Sequence, residues 1–198
     1  MNIQFSTDKE FVAFKDELRK RLAERQSRDL EECGLRHAAV MMLIMNINGT
    51  PHVLLTRRTN NVSTHKGQVA FPGGGVDSED SDHLAAAYRE TREEVGVEQN
   101  RIEYIGRFDD YISISGYHVI CFIGAVEYPC DYALNEDETE SVIETPLSLF
   151  INQEYEKVET VPYQGKGYRV FYYRYEGYEI WGLTARILTD FGEKICRD

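Results

Sequence analysis

Three glutamates lie close together in one short stretch of the chain. They are Glu90, Glu93 and Glu94, within the run RETREEVGV that extends from Arg89 to Val97. On a helix, spacings of three and four residues put the carboxylates on one face, where like charges repel one another. Mg²⁺ and Mn²⁺ prefer carboxylate oxygens, and Mg²⁺ commonly joins protein carboxylates to substrate phosphates. The spacing therefore indicates a divalent-metal site, and a solvated acidic helix face is the alternative.

The residues around the glutamates favour the metal site. Gly73–Gly75 form a loop in which backbone can approach a ligand closely. The residues from Asp80 to Asp82 offer N-cap side chains for a helix from about Asp82 to Val95, and Gly96 is a C-terminal stop. A modest buried stripe is expected opposite the glutamates, formed by Leu84, Ala87, Thr91 and Val95.

This order of loop, helix and carboxylates resembles the Nudix box, G-x5-E-x7-R-E-U-x-E-E-x-G-U, in which U is aliphatic. The matching residues are Gly75, Arg89, Glu90, Glu93, Glu94, Gly96 and Val97. Ser81 stands at the first glutamate of the box and Thr91 at its first aliphatic position. The Thr91 methyl group can still pack, whereas Ser81 removes a carboxylate beside the metal-binding face. Asp77, Asp80 or Asp82 could compensate.

The resemblance implies an α/β fold, specifically a Nudix-type α/β/α sandwich with a mixed sheet. It also implies hydrolysis of a nucleoside diphosphate linked to another group. The three glutamates would hold Mg²⁺ or Mn²⁺, with the Gly75 carbonyl as a further ligand, and Arg89 would orient the glutamates by a salt bridge. The general base is left open between Glu90 and a carboxylate of a downstream acidic loop, where Glu138 is the first candidate and Glu136 the second.

The segment upstream of the box narrows the substrate. It resembles the signature of coenzyme A pyrophosphatases, LLTxRSx3Rx3Gx3FPGG, and the matching residues are Leu54, Leu55, Thr56, Arg58, Gly67, Phe71, Pro72, Gly73 and Gly74. Thr59 replaces the serine and Ser63 replaces the second arginine. The acidic loop Asn135–Phe150 and the stretch Ile180–Leu188 also resemble this subfamily, so the likeness extends over about residues 35–195. It implies cleavage of coenzyme A or a derivative to 3′,5′-ADP and 4′-phosphopantetheine.

Several residues of this segment are candidates for binding the substrate. Arg58 and Arg57 carry guanidinium forks that suit phosphate oxygens, but neighbouring residues alternate across a strand, so only one of them can face the site. Surface charge on a strand edge is the alternative for both. Lys66 or His65 could supply charge from the loop, and the signature adds Phe71 and Gly74 to the predicted substrate site.

Two other functions remain as alternatives. The replacement at Ser63 leaves open a Nudix enzyme for ADP-ribose or another nucleotide sugar. A non-catalytic binding module on a Nudix scaffold is the second alternative, although such modules commonly lose the metal glutamates that this chain keeps.

Composition limits the partners. The 198 residues suit one domain, 1–198, with residues 1–34 as an N-terminal helical extension and 75–97 as the box. A formal charge of −12 disfavours nucleic acid and anionic membranes, so local cations and metal must attract a polyphosphate. Four scattered cysteines without a CxxC pair argue against zinc. With no targeting signal or long apolar run, the cytoplasm is the expected location. Homodimer formation is left open.

Helices are predicted before, between and after the strands, which favours a sheet covered on both faces. The predicted elements are a helix from Thr7 or Asp8 to near Glu31–Gly34, strands at Ala38–Ile47, His52–Arg58, Gly67–Phe71, 101–113 and Tyr117–Tyr128, a polar loop and short helix up to Phe150, a hairpin at Tyr168–Gly182, and a helix at Leu183–Ile195.

Overall fold

The computed structural model of the chain describes residues 1, 3–30, 34–59, 67–163 and 165–197. The helices of this part are α1 (Asp8–Glu24), α2 (His83–Val95), α3 (Ser148–Ile151) and α4 (Gly182–Phe191), with a 3₁₀ turn at Gln99–Arg101 and a π-helical turn at Gly192–Cys196. The strands are β1 (Arg36–Ile47), β2 (Thr50–Arg58), β3 (Val69–Ala70), β4 (Gly73–Gly75), β5 (Glu103–Ile112), β6 (Tyr117–Ala125), β7 (Thr139–Pro146), β8 (Lys157–Tyr163), β9 (Lys166–Tyr175) and β10 (Tyr178–Trp181).

The described strands form two sheets. The larger sheet has seven strands, with the order β3-β2-β1-β6-β5, while β4 also pairs with β1 and β7 also pairs with β2. The strands β1 and β6 run parallel and the other pairs of this sheet are antiparallel, so the sheet is mixed. The strands β8, β9 and β10 form a separate antiparallel sheet.

Helices cover both faces of the larger sheet. Side chains of β1 alternate between two hydrophobic clusters, because successive residues of a strand point to opposite faces. Met41 and Leu43 pack with α2, whereas Met42 and Ile44 pack with α1 and α4. The predicted α/β/α sandwich with a mixed sheet is therefore confirmed.

The first helix is shorter than predicted: α1 ends at Glu24, whereas the sequence predicted an end near Glu31–Gly34. The backbone then runs extended along β5, where Arg28 N donates to Asp109 Oδ1 at 2.9 Å and Asp110 N donates to Arg28 O at 2.9 Å. Leu30 N donates to Asp110 Oδ2 at 3.3 Å. These hydrogen bonds satisfy backbone groups that a longer helix would have paired internally, and tertiary contacts of this kind override local propensity.

The polar loop predicted after residue 130 is only partly a loop, because β7 pairs along β2 with Ile143 opposite Leu55. Its buried positions are Thr139, Ile143 and Thr145, which alternate with more exposed residues. Two of these three inward residues are threonines, which weakened the apolar alternation that indicates a strand. The short helix predicted after it is present as α3. The strand β8 was not predicted.

No helix in the described ranges is both long and apolar enough to cross a bilayer.

Three histidines meet where α2 begins. His37 Nδ1 lies 2.9 Å from His83 Nε2, and His118 Nε2 lies 2.7 Å from Asp110 Oδ2. Burial lowers the pKa of His83 below its usual 6.5, and the neighbouring His37 and Arg107 lower it further. The fold therefore favours the neutral form of His83.

A histidine whose folded-state pKa is depressed contributes its full stability above the unfolded value and loses it as the pH falls below 6.5. As the pH is lowered from about 7.5 to about 5.5, we expect the free energy of unfolding to decrease less steeply in His83→Gln than in the wild type. Urea denaturation at each pH measures the slope. His52→Gln, on β2 outside the cluster, is the control, and equal slopes for wild type and His83→Gln would contradict the assignment.

Candidate functional site

The helix α2 carries the three glutamates and has well-defined ends. The side chain of Asp82 accepts a hydrogen bond from Ala85 N at 2.8 Å, which makes it the N-cap among the three candidates. Gly96 ends the helix with φ +73°, and its N–H donates to Arg92 O at 2.9 Å. The glutamates therefore occupy the last two turns of a rigid helix.

The three carboxylates differ in exposure. The Glu93 side chain is 48% exposed, that of Glu90 is 16% exposed and that of Glu94 is 3% exposed. The expectation that all three lie opposite the buried stripe is wrong for Glu94. This residue follows Ala87 by seven positions, which returns it to the same side of a helix.

Arg89 connects most of the candidate metal-holding groups. Its Nη1 lies 2.9 Å from Glu90 Oε1 and 3.3 Å from Glu93 Oε2, and its Nη2 donates to Gly75 O at 2.9 Å. The opposite edge of the guanidinium contacts Asp80, with Nε–Oδ1 at 3.0 Å and Nη2–Oδ2 at 2.9 Å. The hydrogen bond from Arg89 holds the pKa of Asp80 below its usual range.

Glu94 is held from two sides. Arg58 Nη1 lies 3.2 Å from Glu94 Oε1, and Gly73 N donates to Glu94 Oε2 at 3.3 Å. Burial raises the pKa of Glu94 to about 7, Glu90 and Glu138 add to the increase, and Arg58 opposes it. Burial also raises the pKa of Glu90, against the influence of Arg89. The site therefore concentrates negative charge in partly desolvated surroundings, where a cation is favoured.

The glycines predicted as a loop form the short strand β4 on β1, with Gly74 opposite Ala39. A Cβ atom on Gly73, whose φ is +152°, would lie 2.4 Å from Ala39 O. A Cβ atom on Gly74 would lie 2.5 Å from Glu90 Cδ and 2.6 Å from both of its carboxylate oxygens. Glycine at these positions lets the backbone pass directly beneath the carboxylate of Glu90.

We expect Gly74→Ala to lower kcat at least ~10-fold, about 1.4 kcal/mol, because the new methyl group displaces the Glu90 carboxylate. Gly75→Ala adds the same group where no atom lies within 4 Å, so it is the matched comparison and should cost less. Steady-state kinetics and thermal denaturation of both variants separate a displaced carboxylate from a destabilised fold. Equal kcat values for the two variants would refute the steric explanation.

The acidic loop brings a fourth carboxylate to the glutamates. Asn135 N donates to Glu94 O at 3.2 Å, and Thr59 N donates to Glu138 O at 2.8 Å. The charge of the half-buried Glu138 raises the pKa of both Glu90 and Glu94. Glu136 is exposed to solvent.

The predicted substrate residues fall in different places. Arg57 points away from Arg58, with Nη1 3.1 Å from Glu140 Oε1 and its guanidinium 5.9 Å from the Tyr178 ring centroid. The Phe71 side chain is 4% exposed and packs in the cluster on the α1 and α4 side of the sheet, and its part in the substrate site stays a prediction. Lys66 lies outside the described residues.

The candidate metal-holding groups fit a divalent cation by their chemistry rather than by their present geometry. As the side chains stand, no three His, Cys, Asp or Glu groups among the described residues converge in metal-binding geometry. In this arrangement Arg89 contacts Glu90 and Glu93, and Arg58 contacts Glu94. The chemistry of these groups still fits a hard cation, since these carboxylates and the Gly75 carbonyl are oxygen donors gathered around one loop.

A cavity of about 690 Å³ opens elsewhere, between α1 and the ends of β5 and β6. Its lining includes Lys15, Asn46 and Arg101 and none of the glutamates of α2. Ion pairing between Lys15 and Glu103 occupies part of its wall. The glutamates of α2 lie outside this cavity and pair with Arg58 and Arg89.

Two contacts could not be read from the sequence. Arg58 and Glu94 are 36 residues apart, and no local spacing signals their pairing. Asp80 was one of three candidates to replace the missing box glutamate, and only the turn that contains it decides between them. Asp77 lies 3.5 Å from Arg89 and is 65% exposed, and Asp82 caps α2.

The family model described as NUDIX domain matches residues 35–162. The chain therefore belongs to the Nudix family as a hydrolase of diphosphate bonds, and Nudix hydrolases generally use divalent metals. Among its relatives are proteins named Uncharacterized Nudix hydrolase NudL. The one from Citrobacter koseri is 36% identical over 165 residues, covering 83% of this chain and 85% of the relative. The one from Escherichia coli K12 is 36% identical over 160 residues, covering 81% and 83%.

Solved structures agree at the level of the fold. A binary complex of the Ap4A hydrolase of C. elegans has a TM-score of 0.50 to this chain and is 21% identical to it. The match covers 58% of this chain and 83% of that protein.

Proposed function

We propose that the protein is a metal-dependent pyrophosphohydrolase that cleaves the diphosphate of coenzyme A or a derivative into 3′,5′-ADP and 4′-phosphopantetheine. The observation that carries the proposal is the 3.2 Å contact between Arg58 and Glu94. Arg58 comes from the segment that resembles the coenzyme A pyrophosphatases, and Glu94 comes from the box. The contact supports one site built from both motifs.

The residues of the candidate site would have different parts in the proposed reaction. Glu90, Glu93 and Glu94, with the Gly75 carbonyl, would hold Mg²⁺ or Mn²⁺. When bound there, the cation supplies charge that neutralises the diphosphate and favours deprotonation of water. Arg89 keeps Glu90 and Glu93 oriented.

Glu138 or Glu90 would accept a proton, and Arg58 would bind the substrate. The Glu138 carboxylate takes the proton of the attacking water, with Glu90 as the alternative acceptor. Arg58, beside the buried Glu94, would donate to a phosphate oxygen of the substrate.

The carboxylates should be indispensable. Changing Glu93 or Glu94 to Gln keeps the size and removes the charge, so we expect at least a ~100-fold loss of kcat, about 2.7 kcal/mol. The activity is measured with Mg²⁺ and with Mn²⁺, and Glu98→Gln, an exposed residue beyond the helix, is the matched control. Near-normal turnover in both variants would refute the metal assignment.

Recognition of the 3′-phosphate should separate substrates. If cationic side chains pair with the 3′-phosphate, a ligand without this phosphate leaves those side chains unpaired. Unpaired buried donors cost binding free energy. We expect coenzyme A to exceed 3′-dephospho-coenzyme A by roughly tenfold or more in kcat/KM, about 1.4 kcal/mol. Arg58→Ala should lower activity on coenzyme A.

Chromatographic separation of the products from coenzyme A, 3′-dephospho-coenzyme A and ADP-ribose provides the measurement. Equal rates on the first two would remove the argument from the 3′-phosphate. ADP-ribose as the best of the three would replace the proposal with a nucleotide-sugar hydrolase, and metal-independent binding without hydrolysis would replace it with a binding module.

A further inference from the structure

We propose that Asp80 is the positioning residue that orients Arg89 in this chain, in place of the box glutamate that Ser81 replaces. The inference rests on the proposed function, because Arg89 is expected to orient the glutamates that hold the metal. Its observation is independent: a two-point contact between a largely buried carboxylate and the Nε edge of Arg89.

The contact has the geometry of a strong ion pair. Arg89 Nε and Nη2 reach separate oxygens of Asp80, at 3.0 and 2.9 Å. The Asp80 side chain is 5% exposed, and Asp77 N donates to its Oδ2 at 2.8 Å. Parallel hydrogen bonds of this kind fix the plane of a guanidinium as well as its position. Asp80 therefore determines where the other donors of Arg89 point.

Those other donors serve the candidate metal-holding groups. Nη1 contacts both Glu90 and Glu93, and Nη2 contacts the Gly75 carbonyl. If the Asp80 charge is removed, the Nε edge keeps at most one neutral acceptor at this position, and Arg89 can turn to make a closer two-point pair with one of the glutamates. Such a pair would hold the carboxylate more tightly than the present single contacts and compete with the cation for it.

The neighbouring residues cannot perform this task as they are placed. Ser81 is exposed and carries no charge. The Asp82 side chain caps α2, accepting from Ala85 N at 2.8 Å. Asp77 approaches Arg89 at 3.5 Å and its side chain is 65% exposed, so water competes for it. The turn from Asp77 to Asp80, in which Asp80 N donates to Asp77 O at 3.1 Å, directs the Asp80 carboxylate at the arginine.

Asp80→Asn tests the inference, because it keeps the shape and removes the charge. We expect kcat to fall at least ~10-fold while KM changes less than ~3-fold. Mn²⁺ binding without substrate, followed by the electron paramagnetic resonance signal of free Mn²⁺, should weaken ~3-fold or more. Asp77→Asn is the matched control and should remain within ~3-fold of the wild type in all three measurements. Ser81→Ala should cost less than ~10-fold in kcat.

A rescue separates positioning from a merely structural role. In Asp80→Asn combined with Ser81→Glu, the carboxylate returns at the box position, so kcat and Mn²⁺ affinity should recover to within ~3-fold of the wild type. Wild-type kcat and Mn²⁺ affinity in Asp80→Asn would overturn the inference. A loss that the double variant does not recover would also overturn it, as would a loss of the same size in Ser81→Ala.

The two proposals fail in different ways. Kinetics use whichever diphosphate the wild type cleaves best, and the Mn²⁺ measurement needs no substrate. Failure of coenzyme A as a substrate would therefore leave the test of Asp80 intact, and an unchanged Mn²⁺ affinity in Asp80→Asn would overturn the inference whatever the substrate.

Discussion

The site depends on one arginine that keeps like charges together. Glu90 and Glu93 repel each other on a helix, and Arg89 lies between them with a nitrogen within 3.3 Å of both. The same side chain reaches back to the Gly75 carbonyl and to Asp80, so it links the helix to the strand and turn before it. Without such a cation, burial and mutual repulsion would drive the carboxylates apart or towards protonation.

Glu94 differs from Glu90 and Glu93 because its carboxylate is almost fully buried. Its pKa rises to about 7 even with Arg58 beside it. A buried carboxylate with one cationic partner is costly unless its charge is used, since desolvation weakens the gain from the pair. A divalent cation would repay that cost, so the placement of Glu94 is easier to understand as a functional demand than as a source of stability.

The backbone of β4 lies in close contact with the carboxylate of Glu90. β4 pairs with β1 through glycines, and any side chain on Gly74 would occupy the space of the Glu90 carboxyl group. The acidic loop closes the other side, where its backbone bonds to the end of α2 and to Thr59 after β2. A chain with a formal charge of −12 thus places Arg58 and Arg89 beside the glutamates of α2.

The sequence by itself determined the motif and the class of fold. The spacing of Glu90, Glu93 and Glu94, the glycines before them and the capping residues are local features, so they predicted α2 and its ends. The order of helices and strands favoured a sheet covered on both faces, and the resemblance to the Nudix box implied that this sheet is mixed. The sequence also determined that Ser81 breaks the box, because that departure is visible by position alone.

Only the tertiary structure decided which residues compensate and which face the site. The pairing of Arg58 with Glu94, the choice of Asp80 over its acidic neighbours and the burial of Phe71 all depend on contacts between segments distant in sequence or on the exact turn of the backbone. The early end of α1 and the existence of β7 have the same origin, since β5 and β2 supply hydrogen bonds that local propensity does not anticipate.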